Sequence, residues 1–255
     1  MRPSFGKGRS PPSAAALLVL LGGPVLLSAR ADAQNLRIPS VAYPSLPKQA
    51  SDARGFVPPG WLLETQISGD LNRDGVPDLA MVIRQSEPRN VVANENGLGD
   101  DLLDTNPRIL AVAFRNGPSE NYSLQLENHS LIPRRDDPVL DDPLGETGGV
   151  SIARGALKVT LHRFASAGSW GMSTSSFTFQ YRGGQFELIG FDRDSVMRNS
   201  GQTDATSINY LSGRMKLTRG HIDGDDRKIV WKKVAQRSLL TVDRIGDGMA
   251  FDPAR

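Results

Sequence analysis

The chain has 255 residues, a formal charge of +2 and no cysteine. The lack of thiols excludes disulfides, thiolate zinc sites, cysteine nucleophiles and a lipid-bearing N-terminal cysteine, so any metal must bind through oxygen or imidazole. The length is sufficient to bury a sizeable core without covalent staples.

In chain order, the first element is an address. Arg2, Lys7 and Arg9 precede an apolar run from Ala14 to Leu27, followed by the small-residue pattern Ala31-Asp32-Ala33. This is the pattern of a secretory signal peptide over residues 1–33, cut after Ala33 or after Ala31. The run is shorter than the ~20 residues that span a bilayer, and Gly22, Gly23 and Pro24 interrupt it, so cleavage is expected rather than retention as an anchor. Cleavage removes Arg2, Lys7, Arg9 and Arg30 against Asp32 alone, and the charge falls from +2 to about −1. The expectation is a periplasmic or secreted protein with no membrane span after cleavage. Nothing in that balance calls for nucleic acid, whose phosphates require clustered Lys and Arg.

Residues 34–60, rich in Pro, Ser and Lys, read as an extended leader. From Trp61 onward the pattern is that of one β-rich domain, 61–255, with a sub-domain break near 128–150 left open. Leu63, Thr65 and Ile67 alternate as on a half-buried strand, whereas Leu79 to Ile83 is a continuous apolar run suited to a strand covered on both faces. Residues 86–108 form a long polar excursion before the run Ile109 to Phe114, and Tyr122, Leu124 and Leu126 alternate after the Asn116-Gly117-Pro118 turn. Pro133 to Gly149, carrying Asp136, Asp137, Asp141, Asp142 and Glu146, reads as a surface loop.

The C-terminal half is a run of hairpins turning at Arg154-Gly155, Gly183-Gly184 and Ser212-Gly213, with Ile229 to Val234 as a further strand and Ser238 to Ile245 as a short closing helix. No 40–50-residue period recurs, which argues against equivalent propeller blades. The predicted fold is mainly β, an antiparallel meander forming a sandwich or partial barrel with few short helices.

The most specific chemistry lies between the first two strands. Asp70, Asn72 and Asp74 place side-chain oxygens at alternate positions, Gly75 follows, and Asp78 stands at the ninth position. Calcium takes six to eight oxygens at roughly 2.3–2.6 Å, and a tight loop with those three side chains inward supplies three of them. Gly75 permits the reversal, the Val76 carbonyl is the expected fourth ligand, and Asp78 closes the site directly or through water. Position 12 is Met81 where an EF-hand needs Glu, and the flanks read as strands, so the helix-loop-helix version is rejected. Residues 64–83 resemble the strand-loop-strand calcium motif of FG-GAP or VCBS repeats. That resemblance implies a structural Ca2+ held by Asp70, Asn72, Asp74, Val76 and Asp78, without the propeller, because the other repeats are missing. An acid-decorated Asp-Gly turn is the bland alternative.

Other candidates are weaker. His129, His162 and His221 form no His-Glu-x-x-His pattern. His162 falls on a polar strand face, and His221 before Asp223, Asp225 and Asp226 lacks a full ligand set. Gly168-Ser169-Trp170-Gly171 has misplaced glycines for a nucleophile elbow. Trp170 could stack on a sugar or a partner. The stretches Phe177 to Asp192 and Ser207 to Gly213 resemble segments of uncharacterised secreted bacterial proteins, which implies an exported β protein and no mechanism. Two functions therefore stay open. One is a calcium-stabilised binding or structural module for an envelope or extracellular ligand. The other is an envelope-polymer (glycan) hydrolase using carboxylates of the 136–146 or 223–226 loops, converging beside an aromatic such as Trp170.

Overall fold

The continuous apolar runs and the alternating ones have different fates. In a computed structural model describing residues 36–95, 97–117, 120–145, 148–234 and 238–253, the chain builds two main antiparallel sheets. The expected signal peptide and Glu146 lie outside the described residues. The strands are β1 (Gln49–Ala50), β2 (Trp61–Gly69), β3 (Asp78–Gln85), β4 (Val91–Ala93), β5 (Leu102–Asp104), β6 (Arg108–Arg115) and β7 (Tyr122–Asn128), then β8 (Gly149–Ala153), β9 (Ala156–Arg163), β10 (Gly171–Arg182), β11 (Gln185–Met197), β12 (Gln202–Asn209), β13 (Arg214–His221) and β14 (Lys228–Lys233). One four-residue helix, α1 (Val242–Ile245), follows. The protein is mainly β, with antiparallel sheets that include a half-barrel.

A five-stranded sheet runs β1-β7-β6-β3-β2, a seven-stranded meander runs β14 to β8 in reverse chain order, and β4 pairs with β5 in a small ribbon. β3 and β6 are central, so both their faces must be covered, and this is why their sequences do not alternate. Ala80, Val82, Leu110, Val112 and Phe114 pack with Val159, Leu161, Phe177, Phe179 and Phe191 of the seven-stranded sheet. Each phenylalanine fully buried there contributes roughly 1.5–3 kcal/mol.

The other face of β3 and β6, with Leu79, Met81, Ile83, Ile109 and Ala111, is covered by the segment expected as an extended leader. Leu46, Ala53 and Phe56 of that segment are buried in this second cluster, and β1 pairs with β7. A pattern of single apolar residues spaced among prolines is sufficient to cap a sheet face with no more regular structure than the two residues of β1 and one 3-10 turn, Ala53–Phe56.

The seven-stranded sheet extends past its own core. Its buried contributors come from β8 to β12, and β14 supplies none; all six residues of β14 are exposed. Among the described residues no helix is long and apolar enough to cross a membrane.

Candidate functional site

The Asp70–Asp78 loop connects β2 to β3, so its flanks are strands. β2 ends at Gly69, where a Cβ would lie 2.7 Å from the Ile152 Cγ2 of β8; only glycine lets the strand end press on that neighbour. Leu71, 1% exposed, plugs the loop into the core between the sheets. Gly75 at φ +85° and Arg73 at φ +68° supply the left-handed turns that reverse the chain.

With the backbone pinned in this way, the side chains at alternate positions fold back on the loop's own amides. The Asp70 carboxylate accepts from the N–H groups of Arg73 (2.6 Å) and Gly75 (3.1 Å). Asn72 Oδ1 accepts from Asp74 N–H at 3.0 Å, and Asp74 Oδ1 accepts from Val76 N–H at 2.7 Å. Asn72 Nδ2 also donates to Asp74 Oδ2 at 2.8 Å. These are the short side-chain-to-backbone bonds that Asp and Asn make in turns.

Asp78 differs from the other acids. Its side chain is fully buried. Oδ2 accepts from Leu71 N–H (2.8 Å) and Asn72 N–H (3.3 Å), and Oδ1 accepts from Arg115 N–H at the end of β6 (3.1 Å). Asp78 thus ties the loop to the sheet. Burial raises its pKa above the usual carboxylate value, the amides of Leu71, Arg115 and Asn72 pull it back, and the charge of Asp74 adds to the rise. Asp78→Asn keeps the shape but turns an NH2 toward an N–H donor on one side. Urea unfolding should show a loss of about 1–3 kcal/mol, and an unchanged midpoint would deny Asp78 this role.

The donor set suits calcium in kind: every candidate ligand is a hard oxygen, from Asp70, Asn72, Asp74 and the Val76 carbonyl. The arrangement does not enclose an ion as it stands. Among the described residues no three His, Asp or Glu side chains come together in a group able to hold a metal. Asp78 has one lone pair of Oδ1 beyond its three amide bonds to offer.

A second polar cluster was not marked by any motif. Arg84 and Arg108 stand directly opposite each other on β3 and β6, a like-charge pair that needs anions. Arg108, nearly buried, makes one fork to Glu64 (2.5 and 2.7 Å) and another to Asp142 (2.9 and 2.6 Å). Arg84 pairs with Asp104, whose Oδ1 is held by Asn106. A β-bulge between Leu63 and Thr65 leaves Glu64 unpaired in the ladder and turns it toward Arg108. Burial works to raise the Asp142 pKa, but the hydrogen bonds and charge of Arg108 outweigh it and hold the carboxyl below its usual value. Such doubly forked pairs are structural in character, and the three carboxylates are occupied by the two guanidinium groups.

The remaining candidates are dispersed. Asp136, Asp137 and Asp141 border a cavity of about 170 Å³ together with Asp247, His162 and Phe164. That volume is below the ~300–1,000 Å³ of ordinary ligand pockets. Asp142 is engaged by Arg108, and Glu146 lies outside the described residues. Trp170, 60% exposed, does not border that cavity; the Arg198 guanidinium lies 5.8 Å from its ring centre. His221 Nε2 donates to the Ser200 carbonyl (2.6 Å) and its Nδ1 accepts from Asp223 N–H (3.2 Å), closing a solvated turn. His129 stacks on Tyr43 with centroids 4.3 Å apart. Ser169 Oγ accepts from Gly171 N–H at 3.1 Å and has no histidine partner among its described hydrogen bonds.

The fold and loop thus define a mainly β protein of two antiparallel sheets with an acid-rich β-loop-β connection at one end of the five-stranded sheet. Compared with protein-family models, with curated proteins and with solved structures, the chain matches none.

Proposed function

We propose that the protein is an exported binding or structural module, stabilised by calcium at the Asp70–Asp78 loop, with no catalysis of its own. The observation that carries this reading is the loop itself: Asp70, Asn72 and Asp74 each accept from loop amides on a backbone that turns through left-handed Arg73 and Gly75. The likeness of residues 64–83 to the FG-GAP or VCBS motif supports the same reading. An ion would take oxygens from Asp70, Asn72 and Asp74 and the Val76 carbonyl, displacing the Asn72 amide from Asp74. The signal-like N-terminal sequence supports export, where calcium is abundant enough for sites with Kd of about 10⁻⁴–10⁻³ M.

The site would act on stability. It would neutralise Asp70 and Asp74 beside the buried Asp78, whose own charge is already disfavoured by Asp74. Melting curves in calcium and in chelator test this. At a hundredfold excess over Kd, calcium should stabilise the protein by about 2.7 kcal/mol. Asp74→Ala should abolish that increment while costing little in chelator. Equal melting of both proteins in both media would reduce the loop to an acidic turn.

A further inference from the structure

The outer strand of the seven-stranded sheet has features that the core does not need. β14 pairs with β13 from Lys228↔Arg219 to Lys233↔Arg214, and no described strand pairs with its other side. The Val234 N–H donates to the Gly213 carbonyl at 2.9 Å, which sets the phase of the ladder. By the alternation of antiparallel pairs, Lys228, Val230 and Lys232 bond inward to β13, while the N–H and C=O groups of Ile229, Trp231 and Lys233 face outward. Half of the strand's backbone is therefore presented as a template for another strand.

The side chains around that template are apolar on both faces. Ile229 (50% exposed) and Trp231 (57%) share one face, and Arg214 lies over the Trp231 ring at 4.6 Å. Val230 is on the other face, opposite Leu217, above a groove of about 530 Å³. The surroundings are basic. The ladder places Arg214, Lys216 and Arg219 beside Lys228, Lys232 and Lys233, and Arg219 alone of these has a carboxylate partner, Asp204, among the described residues. Charges that look dispersed along the sequence are thus collected at one sheet end.

From this we infer that β14 is a docking strand for an extended acidic segment of another polypeptide, which adds to the sheet as an eighth strand. The inference rests on the binding-module reading and names its partner by chemistry: carboxylates toward Lys228 and Lys232 on one face, alternating with apolar side chains over Ile229 and Trp231 on the other. Strand addition supplies main-chain bonds, and alternate side chains supply selectivity. A second copy of this chain is disfavoured, because its β14 carries the same three lysines and no carboxylate: antiparallel pairing about Val230 sets Lys228 against Lys232, pairing about Trp231 brings the same lysines to the seam without a counter-charge, and parallel pairing stacks lysine on lysine. A planar membrane could cover one face and would leave the other exposed. Nucleic acid could meet the charge but has no use for the outward amides.

The test is fluorescence anisotropy of the full chain with a labelled ten-residue peptide of alternating Glu and Val, against an alternating Lys and Val peptide and a Glu/Val peptide interrupted by proline. Saturable binding of the first alone is expected. Ile229→Pro removes an outward donor without touching the β13 ladder and should abolish binding while the protein still melts cooperatively. Lys228→Glu with Lys232→Glu should weaken the acidic peptide on the order of tenfold and let the basic peptide bind instead, which a misfolded variant would not do. No binding of the acidic peptide, equal binding of the proline-interrupted one, or indifference to Ile229→Pro would overturn the inference. So would concentration-dependent dimers, or capture of anionic vesicles or oligonucleotides in place of the peptide. Calcium-dependent melting is read separately, so failure here leaves the loop assignment standing, and the converse holds.

Discussion

Phe56→Ala should lower the unfolding free energy by about 3–5 kcal/mol, the range for emptying a fully buried phenylalanine site. Phe56 is fully buried and sits among Leu79, Met81, Ile83 and Ile109 on the outer face of the five-stranded sheet. Phe56 ends a short 3-10 helix, Ala53–Phe56, and its ring makes no hydrogen bond, so the loss would be of packing. Urea unfolding followed by tryptophan fluorescence measures it directly, since Trp61 is in the same cluster. A loss under about 1 kcal/mol would mean that the segment merely lies on the sheet.

Arg108→Met should cost about 3–5 kcal/mol near neutral pH, because it removes both forks and leaves Glu64 and Asp142 facing one another across the site. The penalty should depend on pH in a definite direction. The Asp142 carboxyl is held below its usual value in the folded protein. Its contribution is complete above the unfolded value of about 3.9 and is lost as pH falls through the lower folded value. In Arg108→Met burial acts in the opposite sense and is countered only by the Leu144 amide and the charge of Arg84. The stability gap between the two proteins should therefore narrow on acidification below about pH 4. A gap that stays constant with pH would assign the loss to packing of the arginine stem.

The strands that bury both faces were legible in the sequence because burial leaves a mark in residue type: Leu79 to Ile83 and Ile109 to Phe114 became β3 and β6. The loop residues were legible for the same reason, since oxygen-bearing side chains at alternate positions flank a glycine. Asp78 shows the limit. Its identity was apparent, but its three amide partners include Arg115, thirty-seven residues away, and such partners depend on sheet order. Glu64 was hidden more deeply, because one inserted residue in β2 decides whether it faces solvent or Arg108. The prolines before Trp61 mask that segment's role; Leu46, Ala53 and Phe56 are too widely spaced to show a period yet cover one sheet face. β14 read as an ordinary strand, and nothing local announced that its sheet would outrun its core.

That overhang has a kinetic consequence. A strand's backbone bonds open with a free energy set by what must be exposed to break them. β9 and β10 carry Leu157, Val159, Leu161, Phe177 and Phe179, all inaccessible to solvent, so their amides can exchange with deuterium only through global unfolding. β14 is hydrogen-bonded through a similar ladder but buries none of its own residues, and its inward amides, those of Lys228, Val230 and Lys232, need only local fraying. Deuterium uptake should therefore fall steeply from β14 to β10 across one continuous sheet, with the quickest exchange at the end where another chain would join and slow it.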